Sequence, residues 1–117
     1  MLSNNGVENS DCWHQPSGKY CGTRVVGSYS AAKFGLYDMQ GNVWEWVQDY
    51  WHLNYESMPD NTKQFGTAWT SDNCIFRVIR GGSWINEAER LRSANRSRLA
   101  AVNRDFNFGF RVARSLP

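Results

Sequence analysis

The chain has 117 residues, enough for one small domain or for a piece of a larger one. Six Trp, six Phe and five Tyr can hold together a fold with little regular structure, and no apolar run is long enough to cross a membrane. The net charge of +2 is unevenly distributed, because residues 77–117 carry nine arginines and no lysine against three acidic residues. Arginine without lysine suits fixed, forked hydrogen bonds inside one fold, so we expect no nucleic-acid partner.

The first part of the chain, up to about Gly27, is dense in Gly, Ser, Asn and Cys and shows no periodicity, which predicts ordered loop. Its cysteines, Cys12 and Cys21, could form a disulfide, but the third cysteine, Cys74, makes the number odd and the pairing stays open. Their spacing matches no zinc site.

The middle of the chain predicts a turn, a strand and a long connection. Leu36 to Met39 fits a short helical turn, and Gly41-Asn42 is a strong turn signal. Residues 43–47 alternate in the manner of a strand, with two tryptophans on one face. Residues 49–73 are polar with scattered aromatics, and connections of this length are functional or poorly ordered.

The last third predicts two more strands around a short helix. Residues 75–79 alternate as a strand that ends at a Gly-Gly pair. Residues 87–92 fit a short helix, residues 103–107 a turn, and residues 108–114 a final strand. The chain is therefore predicted to be a loop-rich α+β domain with few short strands and helices.

Four segments in order resemble the sulfatase-modifying-factor family, which includes the formylglycine-generating enzymes: residues 35–46 (GLYDMQGNVWEW), 49–52 (DYWH), 77–84 (RVIRGGSW) and 109–114 (GFRVAR). The resemblance implies a C-type-lectin-like fold. Because the family's domain is considerably longer, residues 25–117 are identified as its C-terminal half, preceded by a loop-rich segment at residues 1–24. Such a chain is expected to need the missing N-terminal half, or a second copy of itself, to complete the fold.

The resemblance also implies a structural calcium site in the first segment. Its ligands would be side-chain oxygens of Asp38 and Glu45 and main-chain carbonyls of Gly41 and Val43. Carboxylates and carbonyls converging at a tight turn suit a hard dication. The alternative is that Asp38 caps the turn while Glu45 pairs with an arginine, either Arg111 or Arg80.

In formylglycine-generating enzymes, two cysteines soon after the Gly-Gly-Ser-Trp turn bind copper(I) for the oxygen-dependent oxidation of a substrate cysteine. This chain has no cysteine from residue 85 to residue 98, and Asn86 stands where the first would be. Copper(I) prefers sulfur ligands, so we expect neither copper nor formylglycine-generating activity. Ser83 then keeps the role of a turn hydroxyl bonded to nearby backbone. The alternative is that the chain is the C-terminal part of an oxygen-dependent oxidoreductase of this family.

Arginines cluster in the last third of the chain, at Arg90, Arg92, Arg96, Arg98 and Arg104. They could form an anion-binding or nucleic-acid-binding surface, or Arg92 and Arg96 could reach inward to bond loop carbonyls. Stacking on RNA would need exposed aromatic rings between the arginines. Only Phe106 and Phe108 lie nearby in the sequence, and Phe108 is expected to be in the core. We therefore favour the inward alternative and expect no nucleic acid.

The loops on either side of this cluster are predicted to form a binding surface. The chain also resembles variable proteins of diversity-generating retroelements, which diversify residues after the Gly-Gly-Ser-Trp turn and before Gly-Phe-Arg. In this chain, the residues of these two loops that we expect to contact a protein or small-molecule ligand are Trp84, Ile85, Asn86, Glu87, Glu89, Arg90, Asn103, Asp105 and Phe106. The function expected from the sequence is thus a calcium-stabilised, lectin-like binding module.

Overall fold

The computed structural model describes residues 22–71 and 75–114. The predictions that concern Cys12, Cys21 and Cys74 lie outside these residues. The elements are strand β1 (Trp44–Tyr50), helix α1 (Asp60–Phe65), strand β2 (Phe76–Arg80), a 3-10 helix (Ala88–Leu91), strand β3 (Ser97–Ala100) and strand β4 (Phe108–Phe110). No helix in the described ranges has the length and apolarity needed to span a bilayer.

One mixed sheet organises the described part of the chain, with strand order β3-β2-β1-β4. β2 pairs antiparallel with both β1 and β3, whereas β4 pairs parallel with β1. The buried hydrophobic residues come from the sheet and from the segments packed on it: Trp44, Trp69, Val78, Ile79 and Leu91. A single sheet with few helices confirms the α+β prediction.

The 3-10 helix confirms the short helix predicted near residues 87–92. Leu91 is almost completely buried and lies directly against Gly82. A Cβ atom on Gly82 would come within 2.6 Å of the Leu91 Cδ2 atom. Glycine therefore lets the helix approach the Gly-Gly turn.

The helical turn predicted at Leu36–Met39 is wrong. The turn lies earlier, where Gly35 donates a hydrogen bond to the Ala32 carbonyl and Ala32 donates to the Leu36 carbonyl, both at 2.8 Å. Asp38 then takes a φ of 53°, in the left-handed region. A right-handed helix cannot pass through such a residue, so the apolar spacing of this segment does not produce one.

The long connection after β1 is ordered and folds back on the sheet. It contains α1, which ends at Gly66 with a φ of 62°, a left-handed C-cap. Trp69 is tied to the end of β1, because its carbonyl accepts from Tyr50 N at 2.9 Å and its own N donates to Asp49 Oδ1 at 3.0 Å. The His52 ring stacks on the Trp69 ring at 3.4 Å, within 1° of parallel.

The strands differ from the sequence expectation by one residue at the start of β1 and at both ends of β2, and by more elsewhere. β1 continues to Tyr50, three residues beyond the predicted strand, and β4 ends at Phe110 rather than residue 114. β3 was not predicted at all, because it is short and its sequence, Ser-Arg-Leu-Ala, shows no clear apolar alternation. It pairs with β2 in regular register, from Phe76 with Ala100 to Ile79 with Ser97.

Candidate functional site

Two tight turns dock on each other at the centre of the candidate site. Gly41 N donates to the Gly81 carbonyl at 2.8 Å, and Trp84 N donates to the Asn42 carbonyl at 3.0 Å. Gly41, Asn42 and Gly81 all have positive φ, as the turn residues predict. These hydrogen bonds place the start of the loop after Trp84 against the turn that precedes β1.

Ser83 is fully buried beneath this loop, and Asn86 is its main partner. Ser83 N and Oγ both donate to Asn86 Oδ1, at 2.9 and 2.7 Å. Asn107 Nδ2 donates to Ser83 Oγ at 3.3 Å. The serine hydroxyl thus bonds two side chains rather than the nearby backbone that the sequence suggested. Asn86, expected to face a ligand, is turned toward Ser83 by these bonds.

Trp84 and Phe106 bring the two predicted binding loops together. Their ring centroids lie 6.1 Å apart and the rings are tilted by 46°. Phe106 is 66% exposed, whereas Trp84 is half-buried. Beneath them, the bond from Asn107 to Ser83 joins the same two loops. An aromatic pair on a hydrogen-bonded base is an accessible, rigid contact surface.

The other predicted ligand-binding residues lie around this pair. Ile85 is half-buried, and the remaining five are exposed: Glu87, Glu89, Arg90, Asn103 and Asp105. Asp105 caps its own turn by accepting from Phe106 N at 2.7 Å. In residues 22–71 and 75–114, no hydrogen bond or ion pair joins the exposed residues of the first loop to those of the second.

Asn107 belongs to the site, although the sequence analysis did not select it. Its Oδ1 atom is buried and has no hydrogen-bond partner in the described part of the chain, while its carbonyl accepts from Trp44 N at 2.8 Å. Its position next to the first residue of β4 was the available signal, because a residue there is held by the sheet.

The two carboxylates of the predicted calcium site are both tied to other groups. Arg111 forms a fork on Glu45, with Nε to Oε2 at 2.6 Å and Nη2 to Oε1 at 2.5 Å. The guanidinium also donates to the carbonyls of Tyr37 and Asp38. Asp38 Oδ2 accepts from Gly27 N at 2.7 Å. The Glu45 contact is the pairing named in the alternative prediction, with Arg111 rather than Arg80 as the partner. Asp38 accepts from Gly27 N, which is a different contact from the predicted cap of its own turn.

This fork shapes the electrostatics of the segment. The hydrogen bond with Glu45 raises the pKa of Arg111, partial burial opposes the shift, and attraction to Glu45 and Asp38 adds to it. The fork lies where two clefts meet, since Asp38, Glu45 and Arg111 line both clefts. The larger cleft has a volume of about 850 Å³.

Oxygen donors for a hard cation are present here, because a carboxylate oxygen accepts more than one partner. Asp38 and Glu45 line the same clefts, and Val43 lines the smaller one, whereas Gly41 is buried. A calcium ion bound here would share Glu45 with the positive charge of Arg111. No cluster of three or more His, Cys, Asp or Glu side chains occurs in the described ranges.

The arginines divide into inward and outward groups. Arg96 reaches inward, where Nη2 donates to the His52 carbonyl at 2.8 Å and its guanidinium lies between the rings of Trp51 and Tyr55. Arg92 does not reach inward, since it is exposed and bonds only the nearby Glu89 carbonyl. The other three of the cluster, Arg90, Arg98 and Arg104, are exposed.

Comparison with known proteins identifies the family of the chain. The family described as "Sulfatase-modifying factor enzyme 1-like domain" matches residues 2–116, a range that includes the N-terminal segment. The chain is 34% identical over 95 residues to the formylglycine-generating enzyme of Mus musculus, covering 79% of this chain and 24% of that protein. It is also 34% identical over 94 residues to the serine/threonine-protein kinase pkn1 of Chlamydia pneumoniae, covering 80% of this chain and 15% of the kinase.

Two solved structures share the fold. PvdO from Pseudomonas aeruginosa superposes with a TM-score of 0.71 at 39% identity, covering 83% of this chain and 36% of that one. Treponema denticola variable protein 1 superposes with a TM-score of 0.59 at 26% identity, covering 80% and 32%. The chain thus spans at most about a third of the length of these relatives. With its C-type-lectin-like fold, the chain belongs to the sulfatase-modifying-factor family.

Proposed function

We propose that this part of a sulfatase-modifying-factor domain is a binding module that takes a protein or small-molecule ligand at the Trp84–Phe106 surface. The carrying observation is the aromatic pair itself, which joins two loops at 6.1 Å while leaving Phe106 mostly exposed. Aromatic side chains with few rotatable bonds supply contact area at low entropic cost. Exposed Val102 enlarges the apolar area of the second loop.

The similarity to a solved variable protein supports the choice of these loops. The hydrogen bonds of Ser83 with Asn86 and Asn107 lie beneath the surface, so the outer residues can change without disturbing it. A scaffold with a fixed base and replaceable outer residues suits binding.

The test is to select peptides from a random phage-displayed library against the intact chain. Peptides that use the proposed surface should lose affinity for Phe106→Ala by about tenfold or more, in the range of an interface hot spot. The matched control is Phe65→Ala, because Phe65 is similarly exposed but lies on α1. Equal losses for both variants, or none for either, would place binding elsewhere and contradict the proposal.

The second candidate is the C-terminal part of an oxygen-dependent oxidoreductase, and the 34% identity to formylglycine-generating enzymes favours it. Against it stands the sequence itself, which has asparagine at residue 86 and no cysteine after residue 74. Thiolates are the ligands copper(I) prefers. We expect no formylglycine when the chain is incubated with copper, oxygen and a sulfatase-type cysteine peptide. Its detection by mass spectrometry would make the oxidase the better assignment.

A structural calcium ion at Asp38 and Glu45 is part of the same proposal. An ion at 100 times its dissociation constant would stabilise the folded chain by about 2.7 kcal/mol, so the melting temperature should fall on chelation. Glu45→Gln should abolish this dependence, because the amide lacks the charge that a dication needs. If the melting temperature of the wild type is the same with calcium as with chelator, as it would be for the variant, then Arg111 alone neutralises Glu45 and the calcium site is disproved.

A further inference from the structure

A row of alternating rings and guanidinium groups runs beside the outer strand β3. Its members, called here the arginine–aromatic row, are Tyr55, Arg96, Trp51, Arg98 and Phe76. The guanidinium carbon of Arg96 lies 4.3 Å from the Tyr55 ring centre and 4.6 Å from that of Trp51. Arg98 lies 5.5 Å from Trp51 and 5.1 Å from Phe76. Rings and arginines that are distant in sequence thus alternate in space, and of the three rings Tyr55, at one end of the row, is exposed whereas Trp51 and Phe76 are half-buried.

Neither arginine of the row forms an ion pair with a carboxylate of the described residues. In residues 22–71 and 75–114, the ion pairs are confined to Lys63 with Asp60 and Arg111 with Glu45. Residues 75–114 hold nine arginines against three acidic residues. An anionic partner is the chemical complement of such a surface.

The members of the row differ in their hydrogen bonds and in their exposure. Arg96 is already used in the fold, through its bond to the His52 carbonyl. The Arg98 side chain is exposed, and its guanidinium donates no hydrogen bond within the described ranges, so the guanidinium N–H groups are available to a ligand. The Tyr55 ring is 48% exposed, which leaves one face open at the far end of the row. The row therefore offers a preoriented guanidinium and an accessible ring side by side.

We propose that the arginine–aromatic row binds single-stranded nucleic acid. A stacked guanidinium is held flat and presents its donors to phosphate oxygens, which it can grip bidentately. Unpaired bases supply flat faces for Tyr55 and for the outer side of Arg98. An acidic peptide supplies the charge but no flat faces, and a duplex keeps its bases inside. A single strand is thus the polyanion that can use both the guanidinium groups and the rings of the row.

The experiment uses fluorescence anisotropy of a labelled oligo-dT of 12 nucleotides with the intact chain, over a range of salt concentrations. We expect saturable binding whose logarithmic salt dependence has a slope of roughly −0.7 for each phosphate neutralised. Arg98→Ala and Tyr55→Leu should each weaken binding by about fivefold or more. Lys33→Ala removes the same charge outside the row and should stay within about twofold of wild type.

Three outcomes would overturn the proposal. The first is no binding at low salt. The second is an equal effect of Arg98→Ala and Lys33→Ala, which would reduce the interaction to net charge. The third is equal competition by a duplex of the same length or by a polyglutamate peptide of the same charge, since either would show that stacking contributes nothing. Circular dichroism of each variant must match wild type, and Arg98→Lys supplies a second, gentler variant that keeps the charge while losing the fork.

Discussion

At the scale of single residues, the planarity of the Arg96 guanidinium matters more to the fold than its charge. Arg96 is one of nine arginines in the last third of the chain, yet it alone lies between two rings while donating to a carbonyl 44 residues away. A guanidinium can stack and donate at once because its donors lie in the plane of the group. Arg96 therefore fixes the segment after β1 to the sheet.

Replacing Arg96 with lysine should destabilise the chain although the charge is kept. Lysine loses the flat stacking between Trp51 and Tyr55, and we expect the free energy of unfolding to fall by about 1–3 kcal/mol. Urea denaturation followed by tryptophan fluorescence measures it. Arg98→Lys is the control, because Arg98 is exposed and should change by less than about 0.5 kcal/mol. A stability unchanged in Arg96→Lys would contradict the structural role.

The buried serine makes a second residue-scale prediction. Asn86→Ala leaves Ser83 N and Oγ without their acceptor, which should cost about 1–3 kcal/mol of unfolding free energy. Asn86→Asp retains an acceptor at the same place and should cost clearly less. Thermal melts of both variants check this ordering, and an aspartate variant as unstable as the alanine variant would show that the amide nitrogen matters instead.

Residue roles could be predicted where the cause is local and not where it depends on distant contacts. The Gly41-Asn42 turn follows from two residues that tolerate positive φ, and the sequence shows both. The Glu45–Arg111 fork was foreseen as one of two pairings, although its partners are 66 residues apart. The stacking partners of Arg96 could not be foreseen, because no sequence spacing relates Trp51 and Tyr55 to an arginine 41 or more residues later.

At the scale of elements, the short strands depend on the glycine turns that let segments approach closely. The Gly81-Gly82 pair ends β2, and the second glycine lies against Leu91 of the 3-10 helix. β3 was not predicted because its four residues, with Arg98 among them, show no clear apolar alternation, and its pairing with β2 is what defines it. β2 was recognisable from its apolar residues, and the adjacent Val78 and Ile79, which point to opposite faces of the sheet, are both buried.

Gly82→Ala should destabilise the chain more than Gly66→Ala. Both glycines have positive φ, near 71° and 62°, so both variants carry a similar backbone cost of about 1–2 kcal/mol. Only at Gly82 does the new methyl group meet Leu91 at 2.6 Å and the Arg90 carbonyl at 3.0 Å, which adds about 1–3 kcal/mol of overpacking. Chemical denaturation of the pair checks this, and equal losses would mean that the helix moves aside at no cost.

At the scale of the whole molecule, apolar side chains remain on the surface around β4. Four are at least three-quarters exposed: Val25, Val26, Phe110 and Val112. Large exposed apolar areas mark interaction sites. Since the chain spans at most about a third of its relatives, we propose that the rest of a sulfatase-modifying-factor domain, or failing that a second copy, covers this surface.

Without that cover, the isolated chain should self-associate through the exposed residues near β4. Sedimentation velocity at rising concentration should show oligomers of the wild type, and Val112→Glu should shift the distribution toward monomer. Phe65→Glu adds the same charge at an exposed apolar residue of α1 and should not. A wild type that stays monomeric at all concentrations would contradict the prediction.

The parallel pairing of β4 with β1 has a consequence for how the chain acquires its structure. β1 is a central strand whose outer edge is completed only by residues 108–110, near the C-terminus. During synthesis that edge stays unpaired until residues 108–110 have left the ribosome. Such a non-local closure slows folding, because the entropy of a long loop is lost before the pairing is gained. A truncation that removes Phe108 and the residues after it would therefore leave β1 as an unpaired, aggregation-prone edge strand.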